Sequence, residues 1–211
     1  MIALGDFFDA LRIADARFYD DEAQELNRLA SGDVLRASLG ATLWRGAITL
    51  APAYHADAVA VEAALSMLKR GTPFMVYDSR KPGPRRDPDG WGLTGSTPVI
   101  ASLEGNNVEM ALSGMPPGYV LSPGDMLAFE YGSSPTRYAL HRLVSGATAD
   151  VAGLTGDFEV TPPIRPGAAT SAAVTLYKPA CKAILAPGAR YGEARPVITE
   201  GASFEWIQVL R

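Results

Sequence analysis

The sequence has one cysteine, Cys181, and two histidines, His55 and His141. A single cysteine excludes an internal disulfide framework and any all-cysteine zinc site. Two histidines so far apart leave no i, i+4 metal-binding pair on a helix. No Gly-x-Ser-x-Gly, phosphate-binding loop, dinucleotide fingerprint or HExxH motif occurs, so the common signatures of hydrolases, nucleotide binders and zinc peptidases are missing. A carboxylate pair carried on strands would leave no such motif. No stretch approaches the roughly 18 apolar residues of a membrane span. The opening residues, MIALGDFFDALR, have neither a basic segment nor a following apolar run, so no secretory leader is expected. Charge of neither sign dominates: 19 Lys and Arg stand against 23 Asp and Glu, a net charge of −4. That balance is a poor match to a dedicated nucleic-acid binder, and no sequence-specific nucleic-acid partner is expected. No catalytic, cofactor-binding or metal-ligating residue is assigned, and no cofactor is expected.

What the 211 residues do have is turn chemistry and apolar content. There are 21 glycines and 16 prolines, well above the roughly 12% that these two contribute to an average protein. Hydrophobic residues make up 47% and charged residues 20%, which allows a packed core and argues against general disorder. Residues 1–50 are acidic, with Phe7, Phe8, Leu11, Ile13 and Phe18 as apolar anchors. Within them 33–39 reads as a short strand behind a Ser31-Gly32 turn. Residues 44–50 (WRGAITL) read as a strand with Trp44, Ile48 and Leu50 on one parity, and Gly46 marks a bulge or a close approach. Ala58, Val61, Leu65 and Leu68 recur at helical spacing and predict a helix over 56–70, with Gly71 and Pro73 to stop it. Residues 74–77 then read as a short buried strand.

Residues 78–98 are a loop by every local signal, rich in proline and glycine and carrying Arg80, Lys81, Arg85 and Arg86. A connection that long is functional, ordered by a partner, or mobile. Beyond it, short apolar runs at 99–103, 108–112, 126–131, 138–144 and 158–160 alternate with Gly/Pro/Asn/Asp turns, the pattern of a small barrel or sandwich. Two more strands are expected at 173–177 and 204–210. The expected architecture is mainly β with a minor α contribution. It comprises a discontinuous β domain, 1–98 with 168–211, that carries the helix, and an inserted small β unit at 99–167.

Few residues carry readable chemistry. Cys181 with His141 is the only thiol–imidazole pair available to a cysteine hydrolase, yet KPACKAI around Cys181 has no signature of such enzymes, and a lone cysteine usually packs as a small hydrophobe. His141, flanked by Leu140, Leu143 and Val144, reads as structural or as a surface histidine, and His55 as a loop or capping residue. DPDG at 87–90 lacks the third ligand and closing Glu of a calcium loop and reads as a turn. The basic stretch 80–86 could track phosphates, but a solvated loop also accounts for it. Trp91 sits in the loop, where it could serve a carbohydrate- or receptor-binding platform, while Trp44 and Trp206 read as core.

Several linked segments carry a family likeness: LWRGAITL at 43–50, GTPFMVYDSRKPGP at 71–84, LSGMPPGYVLSPGDMLAFEYG at 112–132, RYALHRLVSGATADVAGLTGDFEVTPPIRPG at 137–167 and SFEWIQVLR at 203–211. From about residue 18 onward the chain resembles tail proteins of long-tailed bacteriophages and prophages, of the distal-tail or minor-tail (baseplate) type. The resemblance implies a tail-tube-like β-sandwich or split barrel with one flanking helix, plus a small inserted barrel. It implies a structural subunit without catalysis that closes into a ring around a DNA channel, a hexamer in the particle. Its partners would be itself and other tail-tube or baseplate proteins. Its place would be the virion tail, after a stay in the bacterial host cytoplasm. A tail-associated cell-wall hydrolase is the enzymatic alternative.

Overall fold

The computed structural model describes residues 1–211. The fold is mainly β with one α-helix, and no helix is long and apolar enough to cross a membrane. The chain forms two compact units: residues 1–10, 73–183 and 210–211 make one, and residues 11–72 with 184–209 make the other.

The first unit is built around a six-stranded sheet. Its order is Val174–Thr175, Met126–Tyr131, Arg137–Leu143, Phe158–Thr161, Glu109–Ser113 and Val99–Leu103. A bridge between Val99 and Ala173, with Val174 N–H donating to the Pro98 carbonyl, brings the two edges together and nearly closes the sheet into a barrel. Closure removes exposed strand edges and leaves one interior. Alternate residues fill that interior: Met110 and Leu112, Leu127 and Phe129, Ala139 and Leu143, Phe158 and Val160 belong to one core. A second, small element of this unit pairs Phe74–Val76 with the first half of Cys181–Leu185. Ile2 bridges Phe74 on its other side, and Phe7 meets the Phe74 ring edge-on at 5.5 Å.

The second unit pairs Ile13–Asp21, Leu43–Leu50 and Ser203–Gln208 as antiparallel neighbours, with Leu43–Leu50 in the middle. Trp44, Ile48 and Leu50 are buried on one parity of the middle strand, and Phe204, Trp206 and Gln208 on one parity of the last. Gly46 stands opposite Phe18 on one side and Trp206 on the other. Having no side chain, it lets those rings lean over the middle strand until their centroids are 4.9 Å apart. Gly46 is thus a site of close approach within a regular ladder. The helix runs His55–Leu68, two residues short of the expected 70, because Lys69 forms its C-cap. Gly71 follows at φ +85 and donates to the Leu68 carbonyl. Ala58, Leu65 and Leu68 are the buried stripe of the helix.

The seams between the units fall at 10/11, 72/73, 183/184 and 209/210, whereas the sequence reading divides the chain at 98/99 and 167/168. The physical reason is bonding. Residues 73–98 are tied to the barrel by Arg85 N–H on Asp125 and Tyr119 Oη on Asp87. Residues 168–183 supply the Val174–Thr175 strand that completes it. Proline and glycine marked a change of local conformation, which is not a change of packing partner.

Candidate functional site

Two features present chemistry at the surface. The first is a β-hairpin arm, Gln24–Arg28 paired with Val34–Ser38, in register from Gln24 opposite Ser38 to Arg28 opposite Val34. Leu29 N–H donates to the Asp33 carbonyl, Gly32 turns at φ +91, and Ser31 Oγ donates to Asp33. No residue of either strand is buried. Leu35, Ala37 and Leu39 alternate onto one face of the arm, Leu26 and Val34 onto the other. Leu26 is 64% exposed and Leu39 66% exposed. A lone two-stranded hairpin is marginal in water, and one with leucines on both faces has nothing in this chain to bury them against. Of the arm, only the second strand and its turn were expected. The partner strand escaped because QELNR alternates weakly and its apolar residues meet no core.

The second feature is the loop of residues 78–98, which is ordered by contacts from distant residues. Asp78, buried, accepts from the Arg80 backbone N–H and from Arg80 Nε and Nη2 at 3.1, 2.9 and 2.8 Å. Asp125, 3% exposed, accepts Arg85 N–H on one oxygen and Ser122 N–H on the other, both at 2.7 Å. Tyr119 Oη donates to Asp87 at 2.9 Å, and burial together with that carboxylate pushes the phenol well above its ordinary pKa. Asp87 is thereby the anchor of the DPDG turn, which ends at Gly90 with φ +70. No cluster of three or more His, Cys, Asp or Glu side chains is placed to hold a metal ion. At the loop's far end Trp91 begins a short 3-10 turn, 78% exposed, whereas Trp44 and Trp206 are buried.

The other candidates fall in separate settings. Cys181 is fully buried, and burial pushes its thiol well up from its usual pKa, away from a thiolate. Its backbone neighbour across the ladder is Val76. His141 is buried in the barrel interior, opposite Leu127 and stacked on Phe129 at 5.4 Å, with Nδ1 2.7 Å from the Pro162 carbonyl. No hydrogen bond joins Cys181 to His141, and neither group faces solvent, so the two do not form a thiol–imidazole dyad. His55 opens the helix and shares a 2.9 Å hydrogen bond with the Thr199 hydroxyl.

No protein-family model matches the chain, and none of the curated proteins matches it in sequence.

Proposed function

We propose that this chain is a structural subunit of a long-tailed phage or prophage tail, at the distal tail or baseplate, acting by assembly with copies of itself and with neighbouring tail proteins. The hairpin arm carries the proposal. Its exposed Leu26, Leu29, Val34, Leu35 and Leu39 contribute nothing to a core in the free chain. On association each leucine would gain about 1.5–3 kcal/mol by leaving water. An arm of this kind, repeated head to tail around a rotation axis, closes a ring. The mainly β architecture with one helix and the tail-protein resemblance of the sequence agree with this role. A hexamer in the virion tail is the form that the resemblance implies.

The concentrated protein is expected to form rings visible by negative-stain microscopy and as a discrete mass in analytical ultracentrifugation. Leu35→Asp with Leu39→Asp should abolish them. Because these side chains touch no core, thermal stability should move by no more than about 0.5 kcal/mol. Rings that persist in this variant, or a wild-type chain that stays monomeric at every concentration, would remove the basis of the proposal.

Trp91 favours a second role, receptor or glycan binding by a tail component. An exposed indole on a loop already ordered is a preorganised aromatic anchor. Titration with bacterial surface polysaccharide should then change tryptophan emission, and Trp91→Ala should erase the change. Emission unaffected by any such polysaccharide rules this role out.

A further inference from the structure

We propose that the cleft between the basic loop and the turn 123–125 is a binding site for a phosphate-class oxyanion. The cleft encloses about 310 Å³ and is lined by Arg80, Lys81, Arg85, Pro88, Gly124 and Asp125, among others. It stands independently of the assembly role.

Three cations share this cleft, and the carboxylates near them are already occupied. Asp78 is committed to Arg80, and that fork fixes the guanidinium in one orientation. Both oxygens of Asp125 are taken by backbone N–H groups. Lys81 Nζ gives one N–H to the Gly124 carbonyl at 3.3 Å, which leaves two for a ligand. The Arg85 guanidinium makes no hydrogen bond or ion pair in the chain. Its five donors in a planar fork match the oxygens of a phosphate. A carboxylate offers fewer oxygens and less charge to set against the three cations.

The site is built before any ligand arrives. Lys178 N–H donates to the Pro82 carbonyl. The loop doubles back so closely that a Cβ on Gly83 would lie 2.5 Å from the Pro88 carbonyl oxygen. Prolines 82, 84, 88 and 123 pin φ along both walls. A backbone cradle held this way costs little to order, which leaves mainly the Arg85 side chain to be fixed on binding. The net charge of −4 does not oppose this, because distant surface charges are screened beyond about 8–10 Å at physiological salt.

The full chain would be titrated with inorganic phosphate against chloride at matched ionic strength, followed by amide NMR. Saturable shifts are expected at Gly83, Arg85 and Gly124. Arg85→Ala should weaken binding about tenfold, and Arg85→Lys should restore part of it. Lys81→Ala provides a second variant if Arg85→Ala perturbs the loop. A short single-stranded oligonucleotide then separates the sources. Displacement of phosphate at much lower phosphate-group concentration identifies a nucleic-acid phosphodiester, and failure to displace it identifies free phosphate or a phosphomonoester. The proposal is overturned if phosphate causes no shift beyond chloride. It is equally overturned if Arg85→Ala and Lys81→Ala bind phosphate as the wild type does, or if poly-glutamate binds at this cleft and phosphate fails to compete.

Discussion

Acidification from pH 6.5 to about 4 is expected to weaken the barrel unit by about 3 kcal/mol through His141 alone. A carbonyl can only accept, so Nδ1, 2.7 Å from the Pro162 oxygen, carries the proton of the neutral ring. Nε2 is then a bare lone pair, buried with no partner. A second proton there would place a cation in an apolar interior beside Leu127 and Phe129, and the positive charge of Arg165 opposes it further. Burial is the larger cause, and the two outweigh the Pro162 hydrogen bond to hold the pKa near 4, against 6.5 for an unperturbed imidazole. Above pH 6.5 the folded and unfolded chains both carry a neutral ring and stability is complete. Below it the unfolded chain takes up a proton that the folded chain refuses until about pH 4, so stability falls across that window.

Carboxylates titrate in the same range, so the comparison must be with His141→Leu. Near pH 7 the variant should be less stable by about 1 kcal/mol, the worth of the lost hydrogen bond. At pH 4 the order should reverse, with the variant ahead by about 2 kcal/mol, the difference between the two effects. Denaturant unfolding at several pH values measures both. A stability difference that stays constant from pH 7 to pH 4 would show that the imidazole is not held neutral.

Gly46→Ala is expected to cost about 3 kcal/mol, the upper end for overpacking a core. The added Cβ would lie 2.5 Å from the Arg17 carbonyl oxygen and 2.6 Å from the Trp206 ring. The first is backbone of the neighbouring strand. The second is a buried side chain already in contact with Phe18. Neither can withdraw without opening the ladder or displacing a large ring. Gly40 is the control, since its Cβ would meet only Ala23 at an ordinary 3.9 Å, and Gly40→Ala should fall within about 0.5 kcal/mol of wild type. Shrinking the ring by Trp206→Phe should recover part of the loss in the Gly46→Ala background. Equal melting temperatures for Gly46→Ala and wild type would mean that the rings do not close over this position.

Much of the fold was legible because its determinants are local. The helix followed from the spacing of Ala58, Leu65 and Leu68, and most strands from the turn residues that bound them. The burial of Trp44 and Trp206 followed from strand parity. Those properties depend on residues two to seven positions apart, which a sequence displays directly. The chain by itself also determined that no internal disulfide and no all-cysteine metal site is available, since one thiol permits neither.

Tertiary structure decided the rest. Near-closure of the barrel joins Val99 to Ala173, and no local pattern encodes a pairing at that separation. Order in the loop is imposed by Asp125, 40 positions from Arg85, and by Tyr119, 32 positions from Asp87, so a segment that composition leaves as functional, partner-ordered or mobile is held by two part-buried hydrogen bonds. Gly46 could be read as a bulge or a close approach, and only the register with Phe18 and Trp206 chose between them. The parity that buries His141 belongs equally to a structural and a surface histidine. Its neutrality depends on Pro162, Phe129 and Leu127 around it. The apolar arm became visible only once folding had buried leucines such as Leu112, Leu127 and Leu143 in the barrel and left this pair of strands uncovered, because exposure is a property of the packed chain as a whole.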